Sequence, residues 1–106
     1  AIEAFNPDLV IISAGFDAHR HDPISRMRVS TEGYALLTDR VSSLANDVDA
    51  GLAFVLEGGY GLDTLADGVS IVHETFDGRT PLTHDAEPDE AVKTLADNIR
   101  TIHDFE

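Results

Sequence analysis

Two short motifs place residues with catalytic potential directly after apolar runs of the chain. Asp22 lies in SAGFDAHRHDP, which follows one apolar run, and Tyr60 lies in LEGGYG, which follows a second. Because open α/β sheets bind ligands at the carboxyl ends of their strands, each motif falls where a ligand would bind. A carboxylate can hold a metal ion, and a phenol can stabilise an oxyanion. The pair is therefore compatible with a metal ligand and an oxyanion donor, a hypothesis that needs further support from the sequence.

The elements that must position these motifs alternate between strands and helices. Residues 8–14 and 53–56 are near-continuous apolar runs, which predict parallel strands covered on both faces. Apolar residues at helical spacing follow each run, after the N-cap Ser30 in the first case and from Leu62 in the second. The second helix is expected to end near Gly78. Two parallel strands joined by a helical crossover follow from this order.

The C-terminal part reads as a linker and a last helix. Residues 1–78 form the predicted βαβα part, residues 79–87 a polar linker, and residues 88–106 a helix for which Pro88 suits the first turn. The buried face of this helix is expected to carry Val92, Leu95, Ala96, Ile99 and Ile102. The chain begins without Met, in AIEAFNPD, which is typical of the end of a helix running into a strand. We therefore expect a fragment of a longer protein.

Composition restricts the classes of partner. Twenty Asp and Glu residues against seven Lys and Arg give a net charge of −13, which disfavours direct binding to nucleic acid. No apolar run is long enough for a membrane span or signal peptide, so we expect no membrane partner and a cytoplasmic location. The absence of Cys excludes disulfides and thiolate metal sites. The oligomeric state is left open.

The acidic residues are scattered along the chain rather than grouped in blocks. This distribution favours adaptation to high salt, a halophilic protein, over an acidic patch for a cationic partner. We predict that the folded chain is stabilised by salt, because the Debye length falls from about 30 Å at 0.01 M to about 3 Å at 1 M and repulsion is then confined to near neighbours. Thermal melts from low salt to molar KCl measure the effect. A melting temperature that stays flat or falls would contradict it.

The motifs resemble the histone deacetylase family in the broad sense, which includes acetoin-utilisation proteins and acetylpolyamine amidohydrolases. SAGFDAHRHDP, the S-T-E-G-Y of residues 30–34 and LEGGYGL match in order and spacing, from Pro7 to about Gly78. Residues 79–106 match only loosely. The resemblance implies a three-layer αβα arginase/deacetylase-like fold, of which this chain provides two adjacent strands and about three helices. It also implies zinc-dependent hydrolysis of an acetyl amide, with acetyl-lysine or acetylpolyamine as the substrate.

The resemblance implies roles for individual residues. Asp22 corresponds to a zinc ligand and Tyr60 to the catalytic tyrosine, while Gly58 and Gly59 line the acyl-lysine channel. Asp17 either supports the site from outside the ligand set or anchors its loop by hydrogen bonds. Without the resemblance, Asp22 reads as an Asp-Pro turn, Tyr60 as an ordinary tyrosine, and both glycines as residues that need a positive φ.

His19 and His21 form an H-x-H beside Asp22, which by itself looks like a metal cluster. The family pattern gives the metal only one ligand from this loop, so we expect solvated histidines. The paired catalytic histidines of the family, and its Asp and His ligands two residues apart, have no counterpart in this chain. The chain alone is therefore expected to be inactive and not to bind Zn²⁺ tightly.

A binding module is the alternative function. The glycine-rich turn at residues 58–61 precedes a helix, whose N-terminus can hold an anionic ligand such as a phosphate. The chain has neither G-x-G-x-x-G nor the P-loop lysine, which weakens this alternative.

Overall fold

The computed structural model describes residues 1–78 and 87–103. Six elements follow one another: α1 (Ile2–Phe5), β1 (Leu9–Ala14), α2 (Thr31–Asp47), β2 (Gly51–Leu56), α3 (Leu62–Phe76) and α4 (Glu90–His103). The two strands pair in parallel, in register from Leu9 with Gly51 to Ala14 with Leu56. Helix α2 forms the crossover between them, which confirms the predicted α/β order.

The ends of the helices follow signals in the sequence. Ser30 caps α2, since its hydroxyl accepts the Gly33 N–H at 3.1 Å. Helix α1 ends at Asn6 in the left-handed conformation, with φ of 51°, and the chain after α3 passes through Gly78 with φ of 71°. None of the helices in the described residues is long and apolar enough to cross a membrane.

Helices α2 and α3 pack against each other over one face of the sheet. That face carries Ile12 and Phe54, and the Phe54 ring meets Phe76 of α3 edge-on at 5.7 Å. The opposite face carries Ile11 and Val55, which are 60% and 49% exposed. The prediction of strands covered on both faces is therefore wrong for the described residues, because the two packed helices lie on the same side. Among the described residues, the sheet and the α2–α3 pair provide two layers of the three-layer αβα fold that the resemblance implies.

Helix α4 exposes its apolar face. Ala96 on this face is exposed. Four larger apolar residues are between 44% and 75% exposed: Val92, Leu95, Ile99 and Ile102. The prediction that these residues line a buried face is wrong for the described structure. The periodicity predicts the helix correctly, but it does not say what covers the apolar face.

Helix α4 begins later than predicted. Its first residue is Glu90, and the Asp89 carboxylate accepts the Val92 N–H at 2.9 Å, so Asp89 rather than Pro88 marks the start. Two ion pairs of i,i+3 spacing, each at 3.2 Å, lie along its exposed side. Residues 79–86 of the predicted linker and residues 104–106 of the predicted helix lie outside the described residues.

Candidate active site

The two motifs lie side by side beyond the carboxyl ends of the strands. We call residues 15–29 the Asp22 loop and residues 57–61 the Tyr60 turn. Their backbones continue the strand pairing, because the Glu57 N–H donates to the Ala14 carbonyl at 3.0 Å and the Phe16 N–H donates to the Gly58 carbonyl at 2.7 Å. The structure thus brings the two predicted motifs together at one edge of the sheet.

The carboxylate of Asp22 joins the loop to the turn. Asp22 is 8% exposed, and its Oδ2 accepts the backbone N–H of Tyr60, 38 residues away, at 2.9 Å. Its Oδ1 accepts the N–H groups of Ile24 at 2.8 Å and Ser25 at 3.1 Å. An ionised carboxylate has about four lone-pair sites, two on each oxygen. Oδ2 therefore keeps one lone pair that a cation can use. Asp22 can accept these backbone hydrogen bonds and bind a metal ion at the same time.

Asp22 is held in its charged form. Burial opposes the charge, but the backbone N–H groups of Tyr60, Ile24 and Ser25, with the nearby His19, outweigh it and lower the pKa of Asp22 below its ordinary value. Metal ligands must be deprotonated to bind. At neutral pH this carboxylate can therefore accept a cation without first releasing a proton.

His19 is a buried structural residue, so the expectation of a solvated histidine is wrong for it. It is 3% exposed, its Nδ1 accepts the His21 N–H at 3.1 Å, and its Nε2 lies 3.1 Å from Thr31 Oγ1. Because Nδ1 accepts, the neutral ring carries its proton on Nε2 and donates it to Thr31. His21 is exposed. The Nε2 contact joins the Asp22 loop to the start of α2, and the Nδ1 contact with His21 lies within the loop itself.

A complete metal site does not form among residues 1–78 and 87–103. No group of three or more His, Asp or Glu side chains there is arranged to hold a metal ion. A catalytic zinc site uses about three protein ligands and keeps one position open. Within the described residues, Asp22 can therefore offer one ligand but cannot form such a site with its neighbours.

The Tyr60 side chain is 58% exposed, although its backbone N–H is held by Asp22. The phenol is thus accessible to a substrate, while the main chain that carries it is fixed. This combination suits a side chain that donates a hydrogen bond to a bound molecule.

Gly58 and Gly59 are required for different reasons. Gly59 has φ of 132°, which side chains rarely adopt, and a Cβ on it would lie 3.1 Å from Phe16 Cβ. Gly58 does not have a positive φ, so that expectation is wrong for it. A Cβ on Gly58 would instead lie 2.9 to 3.0 Å from three atoms of the Asp17 carboxylate. Both glycines let the loop and the turn approach closely, and their channel-lining role stays a prediction.

Asp17 lies between the two strand ends. A Cβ on Gly15 would be 2.8 Å from Asp17 Oδ1, and Gly58 lies on the other side of the same carboxylate. Within the described residues, packing rather than the expected hydrogen bonds holds Asp17 in place. Its charge still affects its surroundings, as the pKa of Tyr34 shows.

An aromatic pair beneath the site was not anticipated from the sequence. Phe16, 3% exposed, and Tyr34, 8% exposed, have ring centroids 5.0 Å apart. The Tyr34 hydroxyl is buried without a hydrogen-bond partner in the described structure. Burial, followed by the charges of Asp17 and Asp22, raises the pKa of Tyr34 above its ordinary value.

The Phe16 ring also packs directly on Gly68 of α3. A Cβ on Gly68 would lie 2.8 Å from Phe16 Cε1 and 3.0 Å from Cγ. Gly68 falls between Leu65 and Val72 on the apolar side of α3, where glycine is unfavourable for a helix. A glycine at such a position indicates that another residue packs closely against the helix. This signal could have shown that α3 has a close contact at Gly68, though not that the partner is Phe16.

The geometry does not favour the anion-binding alternative. The Tyr60 N–H, two residues before the start of α3, already donates to the Asp22 carboxylate. A second anion at this helix N-terminus would meet that negative charge, which repels it. The charge of Asp22 close to the start of α3 therefore weakens this alternative.

Comparison with known proteins identifies the family. The family model described as histone deacetylase domain matches residues 1–76. Histone deacetylase 6 of Caenorhabditis elegans is 40% identical over 97 residues, which cover 92% of this chain and 10% of that protein. Polyamine deacetylase HDAC10 of Mus musculus is 40% identical over 74 residues, which cover 70% of this chain and 11% of that protein.

A solved structure supports the same assignment. The HDA15 HD domain superposes with a TM-score of 0.75 at 32% identity, covering 95% of this chain and 26% of that one. The chain thus spans about a quarter of that deacetylase domain, and it adopts part of the arginase/deacetylase fold. On the matches in sequence and structure, the chain belongs to the histone deacetylase family.

Proposed function

We propose that this chain supplies one zinc ligand, Asp22, and the oxyanion donor, Tyr60, to a zinc-dependent deacetylase that hydrolyses an acetyl amide. The observation that carries the proposal is the 2.9 Å hydrogen bond from the Tyr60 N–H to Asp22 Oδ2. This bond fixes the candidate ligand and the backbone of the candidate donor relative to each other. An acyl-transfer site needs such a fixed relation between its electrophilic and its hydrogen-bonding groups.

The chemistry of Asp22 fits a zinc ligand. Its carboxylate is ionised, three backbone N–H groups orient it, and Oδ2 keeps a lone pair. Zinc, when bound, polarises the substrate carbonyl and lowers the pKa of its bound water. The other ligands and the general base would come from parts of the complete enzyme beyond this chain.

Tyr60 would act on the substrate oxygen. Its exposed hydroxyl can donate a hydrogen bond to the acetyl carbonyl, and more strongly to the oxyanion that forms when water adds to that carbonyl. A donor that is stronger in the transition state than in the ground state raises kcat. Donation of a hydrogen bond requires no proton transfer from Tyr60.

The exposed apolar surface supports a place within a larger domain. Ile11 and Val55 on the open sheet face, and Leu95 on α4, are each about half exposed or more. Apolar area of this kind is stabilised when it is covered. We propose that the rest of the deacetylase domain covers it, consistent with the 10% of the C. elegans relative that the matched region represents.

The relatives support an acetyl amide as the substrate, since they include a histone deacetylase and a polyamine deacetylase. Both activities release acetate from an acetylated primary amine. We expect the complete enzyme to deacetylate an acetyl-lysine peptide or an N-acetylated polyamine, to lose turnover on dialysis against a chelator, and to regain it when Zn²⁺ is added. Acetate release with and without chelation measures this. Turnover that chelation does not reduce would contradict the zinc-dependent mechanism.

A further inference from the structure

The Tyr60 phenol is too exposed for its own packing to fix its position. With 58% of its surface open, it depends on the backbone that carries it. Hydrogen-bond catalysis loses efficiency when the donor moves by even about 1 Å. The residues that hold the Tyr60 turn are therefore as important to the phenol as its own contacts.

Asp22 holds the turn from one side, at the Tyr60 N–H, and Phe16 holds it from the other. The Phe16 N–H donates to the Gly58 carbonyl at 2.7 Å, and its Cβ lies 3.1 Å from the place that a Cβ on Gly59 would take. A shift of Phe16 would therefore move both glycines that precede Tyr60.

The position of Phe16 is itself set by α3, the helix that follows the Tyr60 turn. Its ring contacts Gly68 so closely that any side chain there would displace it, and Tyr34 closes the other side at 5.0 Å. Both neighbours of the ring belong to helices that pack against each other, Tyr34 to α2 and Gly68 to α3.

We propose that Phe16, seated on Gly68, is a positioning residue for Tyr60. The proposal rests on the proposed function of Tyr60 as oxyanion donor. The ring transmits the position of α3 to Gly58 and Gly59, and the backbone of these glycines sets the direction of the phenol. Phe16 contacts neither substrate nor metal in this role.

Two single variants of the complete enzyme and their combination test the proposal. Gly68→Ala adds a methyl group that pushes the ring, and Phe16→Leu removes the ring while keeping an apolar side chain. Each is expected to lower kcat by about 10-fold or more, with KM changed less than about twofold and zinc content unchanged. In the Phe16→Leu background, Gly68→Ala should add no further loss, since the ring that it displaces is gone.

Asp67→Ala, an exposed change one residue away on α3, is the matched control and should keep wild-type kcat. Wild-type kcat in Phe16→Leu would overturn the proposal, and so would losses of the two single variants that multiply in the double variant. Losses that follow zinc content would also overturn it, because they indicate general damage to the site. If the positioning role of Phe16 is overturned while Tyr60→Phe still has a low kcat, the proposed function of Tyr60 as oxyanion donor is unaffected.

Discussion

Replacing Tyr60 with phenylalanine in the complete enzyme is expected to lower kcat by about 10²–10³-fold while bound zinc stays at the wild-type level. The change removes one hydroxyl and keeps the ring. It also keeps the backbone N–H that donates to Asp22 at 2.9 Å, so the two motifs remain joined. A donor used mainly in the transition state affects kcat more than KM. Steady-state kinetics together with metal analysis measure the effect.

Tyr34→Phe is the matched control, because it removes the same atom from a nearby tyrosine. The Tyr34 hydroxyl is buried and lacks a hydrogen-bond partner among the described residues, so its loss should be close to neutral. We expect wild-type kcat within about twofold. Wild-type kcat in Tyr60→Phe would show that this phenol is not the oxyanion donor.

Replacing Asp22 with alanine is expected to remove zinc and activity together. A Lewis acid contributes several kcal/mol to the transition state, so turnover should fall by about 10³-fold or more. The same change leaves the N–H groups of Tyr60, Ile24 and Ser25 without their acceptor, which loosens the loop and the turn as well.

Asp22→Asn separates these two consequences. Its amide oxygen can still accept from Ile24 and Ser25, so the loop keeps its turn, but the side chain is neutral and its NH₂ group cannot accept from Tyr60. Zinc content should fall while the melting temperature changes less than in Asp22→Ala. Asp63→Ala, an exposed acid on α3, controls for the loss of one negative charge. Full zinc occupancy in both Asp22 variants would exclude Asp22 as a ligand.

The sequence was sufficient to predict the elements and the meeting of the two motifs. Apolar runs and glycine-rich turns are local signals, and parallel strands bring their carboxyl ends to one edge. β1 therefore starts within one residue of its predicted position, and Asp22 and Tyr60 come together as expected. The helix caps at Ser30 and Gly78 are local as well.

The errors concern burial, which depends on contacts between distant residues. His19 looks like a surface residue in a polar loop, yet Thr31 at the start of α2 gives its ring a buried partner. Ile11 and the apolar residues of α4 look like core residues, yet no described element covers them. The contact of Phe16 with Gly68 joins residues 52 positions apart in the sequence, and only the folded chain reveals it.

The most direct test of Asp22 and Tyr60 as one catalytic site is the position of zinc in the complete enzyme. Anomalous X-ray scattering at the zinc absorption edge locates the metal independently of any assumption about its ligands. Zinc is expected about 2.0–2.2 Å from a carboxylate oxygen of Asp22. A zinc peak away from Asp22, or a zinc-bound enzyme in which Asp22 keeps only its backbone hydrogen bonds, would contradict the assignment.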